Sequence, residues 1–148
     1  MKDEDIQVFI NSARRYFHSI DASSPLVVEP PYVKENSPPF LEYTGVIRIS
    51  GKAKGVVCFT ANNTLLRQIL AELHDEPKDE SAIRDLVGEI ANTLSGNARE
   101  QFGKEFLITV PVILHGQQGE FRFPAHSRNY VVPLNWRSQS AYLLVCLE

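Results

Sequence analysis

Two cysteines are all that this chain of 148 residues carries, and both, Cys58 and Cys146, fall inside strand-like runs. Reduced core thiols are the simplest reading, because neither cysteine has a Cys-x-x-Cys partner or an evident base beside it. Histidine is equally poor in pattern. His18, His74, His115 and His126 lie in different segments with no His-x-x-x-His spacing, so no metal site is expected. A serine nucleophile lacks its Gly-x-Ser-x-Gly elbow. The one Gly-x-x-x-Gly stretch, Gly51 to Gly55, has no Gly-Lys-Ser/Thr ending and joins strand to strand, which argues against nucleotide binding. No apolar run approaches the ~20 residues that span a bilayer. The start, Met1-Lys2-Asp3-Glu4-Asp5, is acidic where a signal peptide would be basic and then apolar, so a cytoplasmic protein with no membrane partner is expected. Positive charge is not in excess either. Lys and Arg total 15 against 18 Asp and Glu, and a net charge of -3 gives no reason to expect nucleic acid as a partner.

What is present reads as a single domain over 1–148, long enough to bury a core without staples. Residues 3–20 place Ile6, Phe9, Ile10, Ala13, Phe17 and Ile20 at helical intervals, with acids at the start and Arg14 and Arg15 nearer the end. The prolines between 23 and 40 rule out helix and permit only a short edge strand over 26–28. Strands are predicted over 41–50, with Leu41, Tyr43, Ile47 and Ile49 inward, and over 56–60. Asn62 or Asn63 can cap a second helix through Leu73. Further strands are predicted over 106–114, 121–123, 130–137 and 141–147, with turns at 116–119 and 138–140. The expected fold class is α+β, a mostly antiparallel sheet packed against helices.

The most informative stretch is 79–102, one long helix. Ile83, Leu86, Val87, Ile90, Leu94 and Ala98 share a broad apolar face. Opposite lie Asp85, Glu89 and Asn92. Glu89 is about 40° round from Asp85, Asn92 about 20° the other way, and Gly96 about 20° from the start. The acids Asp75, Glu76, Asp79 and Glu80 look like a metal cluster but are better explained as complements to the positive end of this helix, with Pro77 at its entry. Any amphipathic helix shows water a polar face. This one is unusual in carrying Asn92, Gly96 and, at its margin, Gly88, since a helical glycine costs about 1 kcal/mol against alanine. Small residues there suggest that another protein packs against them. An Asp85–Glu89 pair for sugar hydrolysis is disfavoured, because a convex exposed helix has no groove.

Asp85-x-x-x-Glu89-x-x-Asn92, followed by Ser95-Gly96-Asn97-Ala98, resembles the signature of the CheC, CheX and FliY phosphatases of bacterial chemotaxis, in which an Asp or Ser, a Glu and an Asn share one helix. The resemblance implies a CheC-like fold and a phosphorylated response regulator, a CheY-like receiver domain, as partner. It implies that Glu89 meets the regulator's lysine, that Asn92 orients the attacking water, and that Asp85 and Gly96 border the contact. No cofactor of its own is implied, the Mg²⁺ being expected on the regulator. The alternative is a non-catalytic adaptor that binds receivers.

Two departures qualify the likeness. Pro111, the candidate for the signature's later proline, comes closer to Asn92 than is usual, which implies a shortened loop and strand. Glu-x-x-Asn is not repeated on an earlier helix, Glu72-x-x-Asp75 being the nearest approach, so one site per chain is expected, as in CheX. The run from Tyr142 to Cys146 offers an edge for a homodimer, though a closed monomer fits equally.

Overall fold

The computed structural model describes residues 2–35, 39–74, 79–116 and 128–147. In chain order these form α1 (Asp3–Ile20), β1 (Val27–Val28), β2 (Tyr32–Lys34), β3 (Tyr43–Gly51), β4 (Gly55–Ala61), α2 (Asn63–Glu72), α3 (Glu80–Phe102), β5 (Phe106–Ile108), β6 (Val112–His115), β7 (Asn129–Trp136) and β8 (Gln139–Leu147). The strands make one sheet in the order β1-β7-β8-β4-β3-β5, with β2 also on β7 and β6 also on β3. Every pairing is antiparallel, so the fold is α+β as expected.

The long helix α3 is the axis of the core. Asp79 caps it, its Oδ1 accepting from the Ala82 N–H at 2.9 Å. The other acids expected there, Asp75 and Glu76, and Pro77 lie outside the described residues. Ile83, Leu86, Val87, Ile90, Ala91, Leu94 and Ala98 are all buried, and each such side chain leaving water contributes up to about 3 kcal/mol. Gly45 of β3 sets how close the helix comes. A Cβ at this position would sit 2.5 Å from the Val87 carbonyl oxygen, so only glycine lets the α3 backbone rest on the strand. From the other side α1 packs on α3, with the Phe9 ring tilted against Phe102 at 5.8 Å and the Ser12 hydroxyl donating to the Leu94 carbonyl at 2.8 Å.

Smaller junctions differ from expectation in instructive ways. Asn62 stands at the N-cap of α2, but its Oδ1 accepts from the Glu42 N–H, and the Glu42 carboxylate in turn accepts from the Asn63 N–H at 2.9 Å. The cap is thus supplied by the loop before β3. Leu41 precedes β3 and is half-buried, whereas Tyr43, Ile47 and Ile49 join the core. The proline-rich stretch holds a further short strand, β2, at the sheet edge, where missing N–H groups are tolerated. The turn expected over 138–140 sits earlier, at Arg137 and Ser138, both with positive φ. Arg137 is held there by Asp21 at the end of α1, by Glu72 of α2 at 2.7 Å, and by the Trp136 ring 4.2 Å away.

The edge role expected for Tyr142 to Cys146 is overturned, because β8 is hydrogen-bonded to β4 on one side and β7 on the other. On the sheet face away from the main core, Val46, Val56, Cys58, Val131 and Leu144 form a second cluster with Phe40, Leu114 and Tyr142. Cys58 and Cys146 are buried and unbridged, and burial pushes the Cys58 thiol up, which keeps it unreactive. The predicted strand over 121–123 lies outside the described residues.

The predicted strand over 106–114 is interrupted. In β5 the partners are Gly51 with Phe106, Ser50 with Leu107 and Ile49 with Ile108. Thr109 continues this register, its N–H donating to the Arg48 carbonyl at 3.2 Å. In β6 the partners run from Val46 with Val112 to Tyr43 with His115. Ile47 is therefore left facing both Val110 and Pro111, a bulge of one extra residue at a proline that has no N–H to give.

Replacing Gly45 with alanine is expected to lower the unfolding free energy by about 1–3 kcal/mol, read by denaturant titration, because the helix must lift off the strand. A second expectation concerns acid. Hydrogen bonds from Ser23 and Ser24, with Arg137 beside them, hold the Asp21 carboxyl well below its usual range. A folded value below the unfolded ~3.9 means that its contribution is complete above that pH and is lost as pH falls toward the folded value. Asp21→Asn should therefore flatten the acid limb of the stability profile, measured as unfolding midpoint against pH.

Candidate active site

Asp85, Glu89 and Asn92 are all exposed on α3, and they line one groove of about 610 Å³ together with Gly88, Ile108, Thr109, Val110, Pro111 and Ile113. The motif helix is thus one wall of a cleft and not the convex ridge expected from its spacing. The reason is non-local: the bulge between β5 and β6 rises beside α3 and closes the far side. Pro111, singled out by the sequence signature, stands in that second wall.

The glycines have separate roles. Gly88 is buried, and a Cβ there would come within 2.6 Å of the Ile113 Cδ1 and 3.4 Å of Pro111. Its smallness serves the seating of the second wall, not an incoming protein. Gly96 is the opposite case, with no atom within 4 Å of where its Cβ would be, and it lies beyond the groove lining. Nothing among the described residues explains why this helical position avoids alanine.

Among the described residues the only ionisable groups lining the groove are the two acids, Asp85 and Glu89. A free phosphate ester would meet two negative charges there, so the groove suits a phosphoryl group whose charge is already balanced by its carrier. The influence of Glu89 extends to α1. Burial raises the Tyr16 phenol above its usual value and the Glu89 charge raises it further. Among the described residues no group of three or more His, Cys, Asp or Glu is arranged to hold a metal ion, and no helix is long and apolar enough to cross a membrane. The groove residues that the sequence pattern does not single out are Ile108, Thr109, Val110 and Ile113. Pro111 inside a strand-like run was the available signal for a bulge.

The family described as Chemotaxis phosphatase CheX matches residues 43–135, which take in α3 and both walls of the groove. The chain belongs to the CheX family. A CheC-like superfamily protein from Shewanella sp. PV-4 is 25% identical with a TM-score of 0.84, the alignment covering 100% of this chain and 99% of that one. CheX from Vibrio vulnificus is 24% identical over 98% of this chain and 99% of its own, at a TM-score of 0.81. The CheX–CheY–BeF3–Mg²⁺ complex from Borrelia burgdorferi has the same fold at 14% identity and a TM-score of 0.73, with 97% of each chain covered. Comparison with curated proteins finds no match. The eight strands and three helices among the described residues follow the CheC-like architecture.

Gly96→Ala is expected to raise the unfolding free energy by up to about 1 kcal/mol in chemical denaturation, since the new methyl meets nothing and helix propensity improves. Gly88→Ala should show little or none of that gain, because Ile113 must move aside.

Proposed function

We propose that this protein accelerates loss of the aspartyl phosphate from a CheY-like response regulator, with residues 1–148 acting as one phosphatase domain with one site. The supporting observation is that Glu89 and Asn92 are exposed side by side in one groove whose only charged lining residues, among those described, are acids. The difficult electrostatics are left to the substrate: an acyl phosphate on an aspartate, with Mg²⁺ and a lysine on the same receiver to spread the developing charge. What this chain adds is placement.

Asn92 is neutral, so the phosphoryl oxygens do not repel it. Its carbonyl oxygen accepts from a water while its NH2 group helps fix the orientation, holding the water in line with phosphorus. The water oxygen forms the new bond to phosphorus as the bond to the receiver's aspartate oxygen breaks. The aspartate leaves as a carboxylate, the water's proton is released, and inorganic phosphate is the product. Glu89, one turn earlier, pairs with the receiver's lysine and sets the register of the two proteins. Asp85 borders the contact, and Gly96 lets the receiver's backbone come close to the helix. Because receivers of this kind work in the cytoplasm, the reaction is placed there.

The test is phosphate release from an acyl-phosphorylated receiver with this protein at catalytic amounts. A shortened phosphoryl lifetime supports the proposal, and stoichiometric binding without acceleration would make the protein an adaptor instead. Asn92→Ala is expected to lower kcat on the order of 10²-fold with binding largely kept. Glu89→Ala should weaken binding as well as turnover. Gly96→Ala should weaken binding even though it stabilises the fold.

A further inference from the structure

The two walls of the groove are chemically unlike. One is polar, from Asp85, Glu89 and Asn92, and the other is apolar, from Ile108, Val110, Pro111 and Ile113. Of the apolar four, Ile108 and Ile113 pack against the core and Pro111 lies against Gly88. Val110 has no such task. It is 83% exposed, the most exposed large apolar residue among those described, and it stands at the tip of the bulge beside the motif.

A bulge adds one residue and re-aims it, and such insertions cluster beside functional sites. The residues on either side keep their partners: Thr109 remains tied to Arg48, the Arg48 N–H donating to the Thr109 Oγ1 at 3.1 Å, and Val112 remains opposite Val46. The inserted side chain is thus presented to solvent on rigid supports. Val110 and Asn92 line the same groove, so a protein that brought a phosphoryl group to Asn92 would come in beside this valine.

We propose that Val110 is a docking contact for the phosphorylated receiver, meeting an apolar patch that flanks its phosphoaspartate and contributing to binding, not to the chemical step. This rests on the phosphatase reading of the groove. The occupant is assigned to the receiver because Val110 lines the same cleft as Glu89 and Asn92, so the contact is continuous with theirs. The polar wall takes the receiver's lysine and the phosphoryl group, and the apolar wall takes the surface beside them.

The experiment compares the full-length wild type with Val110→Asn, Val110→Ile and Asn92→Ala. Two quantities are measured: Kd for a receiver loaded with beryllofluoride and Mg²⁺, and KM with kcat for phosphate release from the acyl-phosphorylated receiver. Val110→Asn is expected to raise Kd and KM about tenfold, the effect of uncovering one aliphatic side chain, with kcat within about twofold and the unfolding midpoint unchanged. Val110→Ile should behave as wild type. Wild-type Kd and KM in Val110→Asn, alongside lost turnover in Asn92→Ala, would overturn the docking role while leaving the phosphatase reading intact. A fall in kcat at unchanged Kd would overturn it as well. So would a change in the protein's own association state, seen by sedimentation, with receiver binding untouched, because Val110 would then face a second copy. A wild type that neither binds nor dephosphorylates the receiver removes both readings.

Discussion

The contact between the Val87 carbonyl and Gly45 governs where everything else can be. With no Cβ on the strand, the backbone of α3 lies directly on β3, near the side of the sheet where β5 and β6 are attached. A helix seated there buries its apolar stripe against β3 and β4 and is flanked by α1. Its polar line, from Asp85 to Asn92, is left facing the β5–β6 junction. A helix held further from β3 would carry the same residues at the same spacing and still have no second wall. The groove is therefore a product of helix height as much as of motif, and Gly88 completes it by letting Ile113 and Pro111 come against α3.

Under the proposed phosphatase reading, the arrangement separates selection from reaction. Carboxylates in a phosphoryl-binding groove are unfavourable unless the incoming group is accompanied by positive charge, and a receiver carrying a lysine and a divalent cation supplies that. Small phosphate esters do not. On the proposed reading the acids would discriminate by repulsion, and the carboxamide would act on a phosphoryl group that has been admitted.

Much of this was legible in the chain itself. The 3.6-residue recurrence from Ile83 to Ala98 specified α3 and its buried face, and the same geometry put Glu89 and Asn92 on one exposed line. Asp79 announced the cap. What could not be read depends on residues far apart in sequence. That Thr109 pairs with Arg48 while Val112 pairs with Val46 is a fact of register, and period-two alternation through Ile108, Val110 and Val112 mimics an unbroken strand. Hence the apolar wall was absent from the sequence reading, and Gly88 was taken for a contact with a visitor when its neighbour is Ile113. Likewise β8 looked like a sheet edge because alternation reveals faces but not neighbours. The strand β2 is hidden by Pro30 and Pro31 just before it, which forbid helix but permit a short edge pairing.

The extra residue opposite Ile47 has one more implication. Counting alternate positions across the bulge, Ile108, Pro111 and Ile113 keep a common orientation toward α3 whether or not Val110 intervenes. The inserted position is therefore outside the interior's parity. Mutation there can change size, polarity or even loop length without re-aiming any side chain of the interior, so related proteins could diverge in which signalling domain they accept while inheriting the same helix and the same chemistry.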